Sequence, residues 1–184
     1  MFKKFSSEVS VSSKAPVKSS VQRQMRARIE EQMPSLNEYM DELLPKKEKV
    51  LVVKCEEHVS LLCVEKKMEP LFFCVRDGPY FPTLRLLHMF PHALPRVQVD
   101  RGAIKHVMKG ADIMCPGLTS PGAAMPVELE QNAIVAVMAE GKQHAVGIGR
   151  MKMSTAQIRE VNKGVGIENV HHLGDGLFKT ITLS

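Results

Sequence analysis

The chain has 184 residues and a mass of 20.5 kDa, with 44% hydrophobic and 24% charged side chains and a mean hydropathy of −0.09. That length can bury a core without disulfides, and the composition excludes a disordered or fibrous protein. The net charge of +5 is spread over both halves with no basic tail, so electrostatics alone does not mark a nucleic-acid binder.

The opening Met1-Phe2-Lys3-Lys4-Phe5-Ser6-Ser7 lacks the apolar stretch of a secretory signal, and no run approaches about 18 uninterrupted apolar residues. A cytoplasmic chain without a membrane span is expected. Ser19-Ser20-Val21-Gln22 reads as a capping box for a helix whose Val21, Met25, Ile29 and Met33 share one face as far as Pro34. Its other face carries Arg23, Arg26 and Arg28, either a solvated surface or an RNA contact. Ser35-Leu36-Asn37-Glu38 is a second capping box, opening a helix through Leu36, Tyr39, Met40, Leu43 and Leu44 that stops before Pro45.

After the charged turn Lys46-Lys47-Glu48-Lys49, three apolar runs at Val50–Cys55, His58–Val64 and Leu71–Val75 read as successive strands. Cys55-x-x-His58 with Cys63 and Cys74 can be stretched into a zinc site. No C-x-x-C pair occurs, however, and buried free thiols in strands are the plainer reading for all three cysteines. Thr83 caps a short helix through Leu84, Leu86, Leu87 and Met89, expected to seal the sheet or to face a second domain.

Of twelve glycines only Gly78 precedes position 100, and Pro79, Pro82, Pro91 and Pro95 punctuate the approach to the change. The boundary falls near residues 91–95, giving domains 1–93 and 94–184. Beyond it, Val97 and Val99 lead to Asp100, which caps Arg101–Lys109 with Ile104, Val107 and Met108 turned inward and Gly110 ending the helix.

Asp100-Arg101-Gly102-Ala103, a short helix, Gly110-Ala111-Asp112, a strand and Pro116-Gly117 then follow in order. That succession resembles the PUA domain, the RNA-binding fold shared by pseudouridine synthases and archaeosine transglycosylases. Val135–Ala139 and Ala145–Gly149 look like its central strands, Met151-Lys152-Met153-Ser154 its next turn and Gly164-Val165-Gly166-Ile167 its last glycine element, a match over roughly residues 96–178.

Further stretches, Phe2-Lys3-Lys4-Phe5, Leu44-Pro45-Lys46-Lys47, Gly78-Pro79-x-Phe81-Pro82-Thr83-Leu84-Arg85 and Met138-Ala139-Glu140-Gly141-Lys142-Gln143-His144-Ala145, resemble the malignant T-cell-amplified sequence family. The resemblance implies an α+β fold: an N-terminal α+β domain, then a C-terminal PUA domain, a small mixed β pseudo-barrel with short helices. It also implies pairing with density-regulated protein, binding to the small ribosomal subunit, to tRNA and to rRNA, and a role in translation reinitiation and recycling. The segment Ser6–Lys18, the strand pair around Cys63–Cys74 and the loop Ala123-Ala124-Met125-Pro126 depart from that pattern.

An RNA end can be held by backbone amides at glycines, by cations on phosphates and by flat or soft side chains against bases. Arg101, Lys105 and Lys109 are expected to share one helix face, with Gly110 directly after. Met114, Cys115, Pro116 and Gly117 run into a turn-rich loop with Ser120 and Gly122, and His144 and Lys152 join the RNA-binding candidates. A solvated helix and a necessary turn is the alternative reading of the same residues. For the partner, Phe72, Tyr80 and Phe81 are expected to form an exposed apolar patch, and His106 stands where the family usually has an aromatic on the first PUA helix.

No G-x-S-x-G, H-E-x-x-H or G-x-x-x-x-G-K-[ST] occurs, and Gly147-Ile148-Gly149 and Gly164-Val165-Gly166 lack a third glycine, so neither catalysis nor a cofactor or metal is expected. His171-His172 reads as a surface pair, and Ser120-Pro121 as a turn, or as a site for proline-directed phosphorylation. Two rivals stay open: an accessory subunit of an RNA-modification enzyme, and a protein-interaction scaffold that does not touch RNA.

Overall fold

The computed structural model describes residues 1–183. A single turn α1 (Ser7–Ser10) leads into β1 (Val11–Pro16) and then α2 (Ser19–Gln32). A 3-10 turn at Pro34–Tyr39 runs into α3 (Met40–Leu43), followed by β2 (Val50–Cys55), β3 (Val59–Val64), β4 (Phe72–Val75), the two-residue β5 (Phe81–Pro82) and α4 (Leu84–Met89). The five strands form an antiparallel sheet in sequence order.

Strands β2 to β4 lie where their Val, Leu, Phe and Cys content places them, and Thr83 caps α4 by accepting from the Leu86 amide at 3.3 Å. β1 has no such signal. Its Val-Ser-Ser-Lys-Ala-Pro is exposed beyond Val11 and is a strand because it pairs with β2; Lys14 and Pro16 on that outer edge discourage further pairing.

Both expected capping boxes fail. Ser19 already lies inside the first turn of α2, behind Lys18, and no side chain caps that end. Gln22 instead turns inward and donates to the carbonyls of Pro45 (3.0 Å) and Glu48 (3.3 Å). Ser35 donates to the His92 carbonyl at 2.9 Å, and the segment it was to open is a 3-10 turn with only one α turn after it. The α2 arginines are largely taken up by the fold. Arg26 pairs with Glu30 and Asp41, both at 2.7 Å, while Arg28 donates to the Gly78 carbonyl and lies over the Tyr80 ring at 5.0 Å.

Phe72, Tyr80 and Phe81 are not an exposed patch: they are 0%, 3% and 3% exposed. β3 and β4 are buried on both faces, because one apolar cluster runs from Ile29, Met33 and Leu86 through the sheet to Ala145, Ile148, Val170 and Leu177 of the second half. All four cysteines are free and buried, and burial pushes the Cys55 and Cys63 thiols up to about 11. Among the described residues no group of three or more His, Cys, Asp or Glu gathers as a metal site would require, and no helix is long and apolar enough to cross a membrane.

The second half comprises β6 (Arg96–Val99), α5 (Arg101–Val107), β7 (Ile113–Met114), α6 (Pro116–Thr119), β8 (Ile134–Ala139), β9 (Gly147–Met151), α7 (Thr155–Val161), β10 (Val165–His172) and α8 (Gly176–Lys179). Its sheet has the order β6-β8-β9-β10-β7, parallel only between β6 and β8, around a second core that includes Val97, Val107, Val137, Met151 and Ile158. Register shifts bend β10 between Val165 and Ile167 and between Asn169 and His171, which helps the sheet curl. Together the halves make an α+β fold, as the sequence suggests.

His171 and His172 are not surface residues but 0% and 8% exposed. The His171 ring packs edge-on against Phe2 (5.6 Å) and Phe73 (5.9 Å), and its Nδ1 meets the Asp175 carboxylate at 2.7 Å. At the same seam Arg85 donates to the Phe178 carbonyl (2.8 Å), and His88 Nε2 is 2.8 Å from the Ala145 carbonyl oxygen.

Candidate nucleic-acid interface

Asp100 opens α5 by accepting the Ala103 amide at 2.7 Å. Successive residues turn by about 100° on a helix, so Ala103 and Val107 face the core while Arg101 and Lys105 point the opposite way. Lys109 follows in the closing turn, and all three cations are exposed. Met108, expected to face inward, lies on the outer flank at 36% exposure, because its helical position falls nearer the side of Lys105 than that of Val107. Gly110, at φ +77, makes that turn, and its amide donates to the Val107 carbonyl at 2.9 Å.

A groove of about 550 Å³, bounded by α5 on one side and by β7 and α6 on the other, lies on the flank of the helix turned away from Arg101 and Lys105. Its walls include Ala103, His106, Ile113, Met114, Pro116 and Gly117, with Ser120 at one end. Gly117 lets the walls meet: its carbonyl accepts the Asp100 amide at 3.0 Å, and a Cβ there would stand 3.1 Å from that of Ala103. Met114, half exposed, stands at the lip. Such a trough, which also includes Asp100 and Asp112, suits flat bases, while the exposed ammonium groups on the other flank of α5 suit phosphates.

Arg101, Lys105 and Lys109 stand exposed on the outer face of α5, outside the lining of the groove, and Gly110 follows them, while Met114, Pro116, Gly117 and Ser120 gather in the groove. His106, a candidate for the protein partner, lies on the groove wall with them. Cys115 does not join them. It is fully buried, its thiol directed to the Lys163 carbonyl (3.4 Å) and the Met153 sulfur (3.8 Å), and burial raises its pKa. Gly122 is exposed but engaged: at φ +91 its carbonyl accepts from Gln98 at 2.7 Å, and a Cβ would run into the Glu140 carboxylate. His144 sits at the seam, 5.4 Å ring to ring from His88, and Lys152 lies beyond β9, separated from β7 by β10. The Ser120 hydroxyl donates to the Pro116 carbonyl at 2.5 Å, bracing the turn.

Two bracing residues lie outside the candidates read from the sequence. Asn169 sends its amide to the carbonyls of Val107 (3.1 Å) and Ala111 (3.0 Å), while its backbone amide donates to Asp112 at 2.9 Å, fixing the end of α5 against β10. Glu140 accepts the Arg101 amide at 2.9 Å and holds the start of the helix. Asn169 belongs to no motif, and Glu140 lies within the family-like stretch Met138–Ala145 without a role of its own assigned there.

Residues 5–91 match the Pre-PUA-like domain and residues 95–173 the PUA domain. The chain is 52% identical over 183 residues to Malignant T-cell-amplified sequence 1 homolog of Dictyostelium discoideum, covering 100% of both chains. It is 51% identical over 179 residues to Malignant T-cell-amplified sequence 2 of Homo sapiens, covering 97% of each. A hypothetical protein from the archaeon Pyrococcus horikoshii OT3 shares its fold at a TM-score of 0.72 with 24% identity, over 92% of this chain and 99% of the other.

Proposed function

The chain belongs to the malignant T-cell-amplified sequence family and its role is RNA-related, and on that premise we propose that it is a non-catalytic translation factor of the cytoplasm. Paired with density-regulated protein, it binds the small ribosomal subunit and tRNA, and supports reinitiation and post-termination recycling. The observation that carries this reading is the exposed row of Arg101, Lys105 and Lys109 on the outer face of α5, with an open groove and Met114 at its lip on the other flank of the helix. Among the described residues neither Lys105 nor Lys109 pairs with a carboxylate, so both are free for phosphate. The pairing with density-regulated protein is proposed without Phe72, Tyr80 and Phe81. A Phe81→Asp variant would bury a carboxylate and report on folding rather than on docking.

The test is co-sedimentation with purified small ribosomal subunits, and tRNA binding, with and without density-regulated protein across a salt series. Changing Lys105 and Lys109 together to Glu is expected to weaken binding on the order of 10-fold or more and to reduce the salt slope by about two. The melting temperature is expected to move by no more than about 2 °C, since exposed charges contribute little to stability. An unchanged slope in the double variant assigns the ridge to solvent. Binding that exists only with the partner present and ignores the substitutions leaves a scaffold role in place of direct RNA contact.

A further inference from the structure

Phe2 holds the start of the chain against both halves. Its ring, 3% exposed, meets Phe5 at 5.8 Å, Phe73 at 5.0 Å and His171 at 5.6 Å, all edge-on, and its carbonyl accepts the Gly176 amide at 2.9 Å. The neighbouring lysines are thereby aimed in different directions. Lys4 lines a small recess with Glu56 and Glu57 on the N-terminal sheet. Lys3 instead crosses the end of α5, where a Cβ built on Gly110 would lie 2.9 Å from its Cε. Gly110 leaves that crossing its room without displacing the lysine stem.

A second group points to the same place. A Cβ on Gly110 would also stand 2.8 Å from Nε2 of His172, a ring that is 8% exposed. Its Nδ1 lies 3.1 Å from the Leu173 carbonyl, which can only accept, so the proton of the neutral ring sits on Nδ1. Nε2 then offers a buried lone pair with no hydrogen-bond partner among the described residues, beside the Lys3 arm. The Asp112 carboxylate, the acid nearest in sequence, is turned to the Asn169 amide, and no ion pair engages Lys3 among the described residues.

We infer that Lys3 is part of the nucleic-acid interface, extending the Arg101, Lys105 and Lys109 ridge by one phosphate-binding cation carried across from the start of the chain. The inference rests on the RNA-binding reading proposed above. Its physical content is that the surface along α5 is completed by a segment outside the PUA domain, and that the Phe2 anchor sets where this cation stands. A lysine at the C-terminal end of a helix also suits the helix dipole, which accounts for its position without any ligand. The two roles differ in what salt does to binding.

The experiment follows the affinity of the full chain for fluorescently labelled tRNA between about 50 and 200 mM salt, comparing wild type with Lys3→Met, Lys3→Arg and the Lys105→Glu, Lys109→Glu variant. Met keeps the stem and removes the charge. Expected for Lys3→Met is a salt slope smaller by about 0.7–0.9, with affinity several-fold lower at the low-salt end, and restoration of both by Lys3→Arg. A Lys3→Met slope equal to wild type, while the Lys105 and Lys109 variant flattens, overturns the inference and leaves the RNA reading standing. A loss of affinity at constant slope, with a falling melting temperature, also overturns it, since the lysine is then structural. Wild-type binding without salt dependence overturns both.

Discussion

Replacing Asp175 with alanine is expected to cost about 3–5 kcal/mol and to loosen the seam between the halves. The carboxylate is 3% exposed and serves three donors: one oxygen takes His171 Nδ1 at 2.7 Å and the His172 amide at 3.0 Å, the other caps α8 through the Phe178 amide at 2.9 Å. Burial pushes its pKa up, but the hydrogen bond and charge of His171 and the two amides outweigh burial and hold it below the ordinary carboxylate value. A carboxyl depressed in the folded state contributes stability that is complete above its unfolded pKa, near 4, and is lost as pH falls through the folded value. Wild type should therefore lose part of its denaturant midpoint on acidification below about pH 4, and the Asp175→Ala protein should lack that component. Asp175→Asn keeps the shape without the charge and should fall between them. A neutral-pH midpoint for Asp175→Ala equal to wild type would show that the three donors find other partners at no cost.

The elements legible in the sequence are those whose local chemistry and tertiary fate agree. Thr83 and Asp100 are single polar residues ahead of short apolar periodic runs, and both cap as expected. Ser19 and Ser35 carry the same local signature, yet tertiary partners override it. Gln22 is drawn into the turn after Leu44, and Ser35 is taken by His92. Phe72, Tyr80 and Phe81 are buried by contacts made across the chain, which one sequence cannot report: Gln32 and Arg28 of α2 reach Tyr80, and the apolar cluster that holds Phe72 and Phe81 extends into the second half. His171 and His172 are buried too. At the candidate interface the ridge follows from helical spacing alone. The burial of Cys115 and the engagement of the exposed Gly122 depend on which way the loop folds, which Met153, Gln98 and Glu140 decide from far along the chain.

Gly176 is the residue through which the start of the chain is held, and Gly176→Ala is expected to release it. No positive φ makes this glycine necessary, so the cost comes from contact: a Cβ would run into the Phe5 carbonyl and stand 2.8 Å from the Phe2 carbonyl oxygen. Both obstacles are backbone, which cannot rotate aside as a side-chain tip can. α8 is fixed from behind by Asp175, so the segment carrying Phe2 and Lys3 is the part that yields. The loss should approach the burial of one phenylalanine, about 2–3 kcal/mol, and should appear as lost amide-exchange protection at Gly176 and as tRNA binding that behaves like Lys3→Met. A double-mutant cycle decides the mechanism. If the alanine acts by ejecting Phe2, then Gly176→Ala in a Phe2→Ala background should cost far less than in wild type, because the anchor it displaces is already weakened. Simple additivity of the two would place the damage within α8 and separate the start of the chain from the ridge it is proposed to complete.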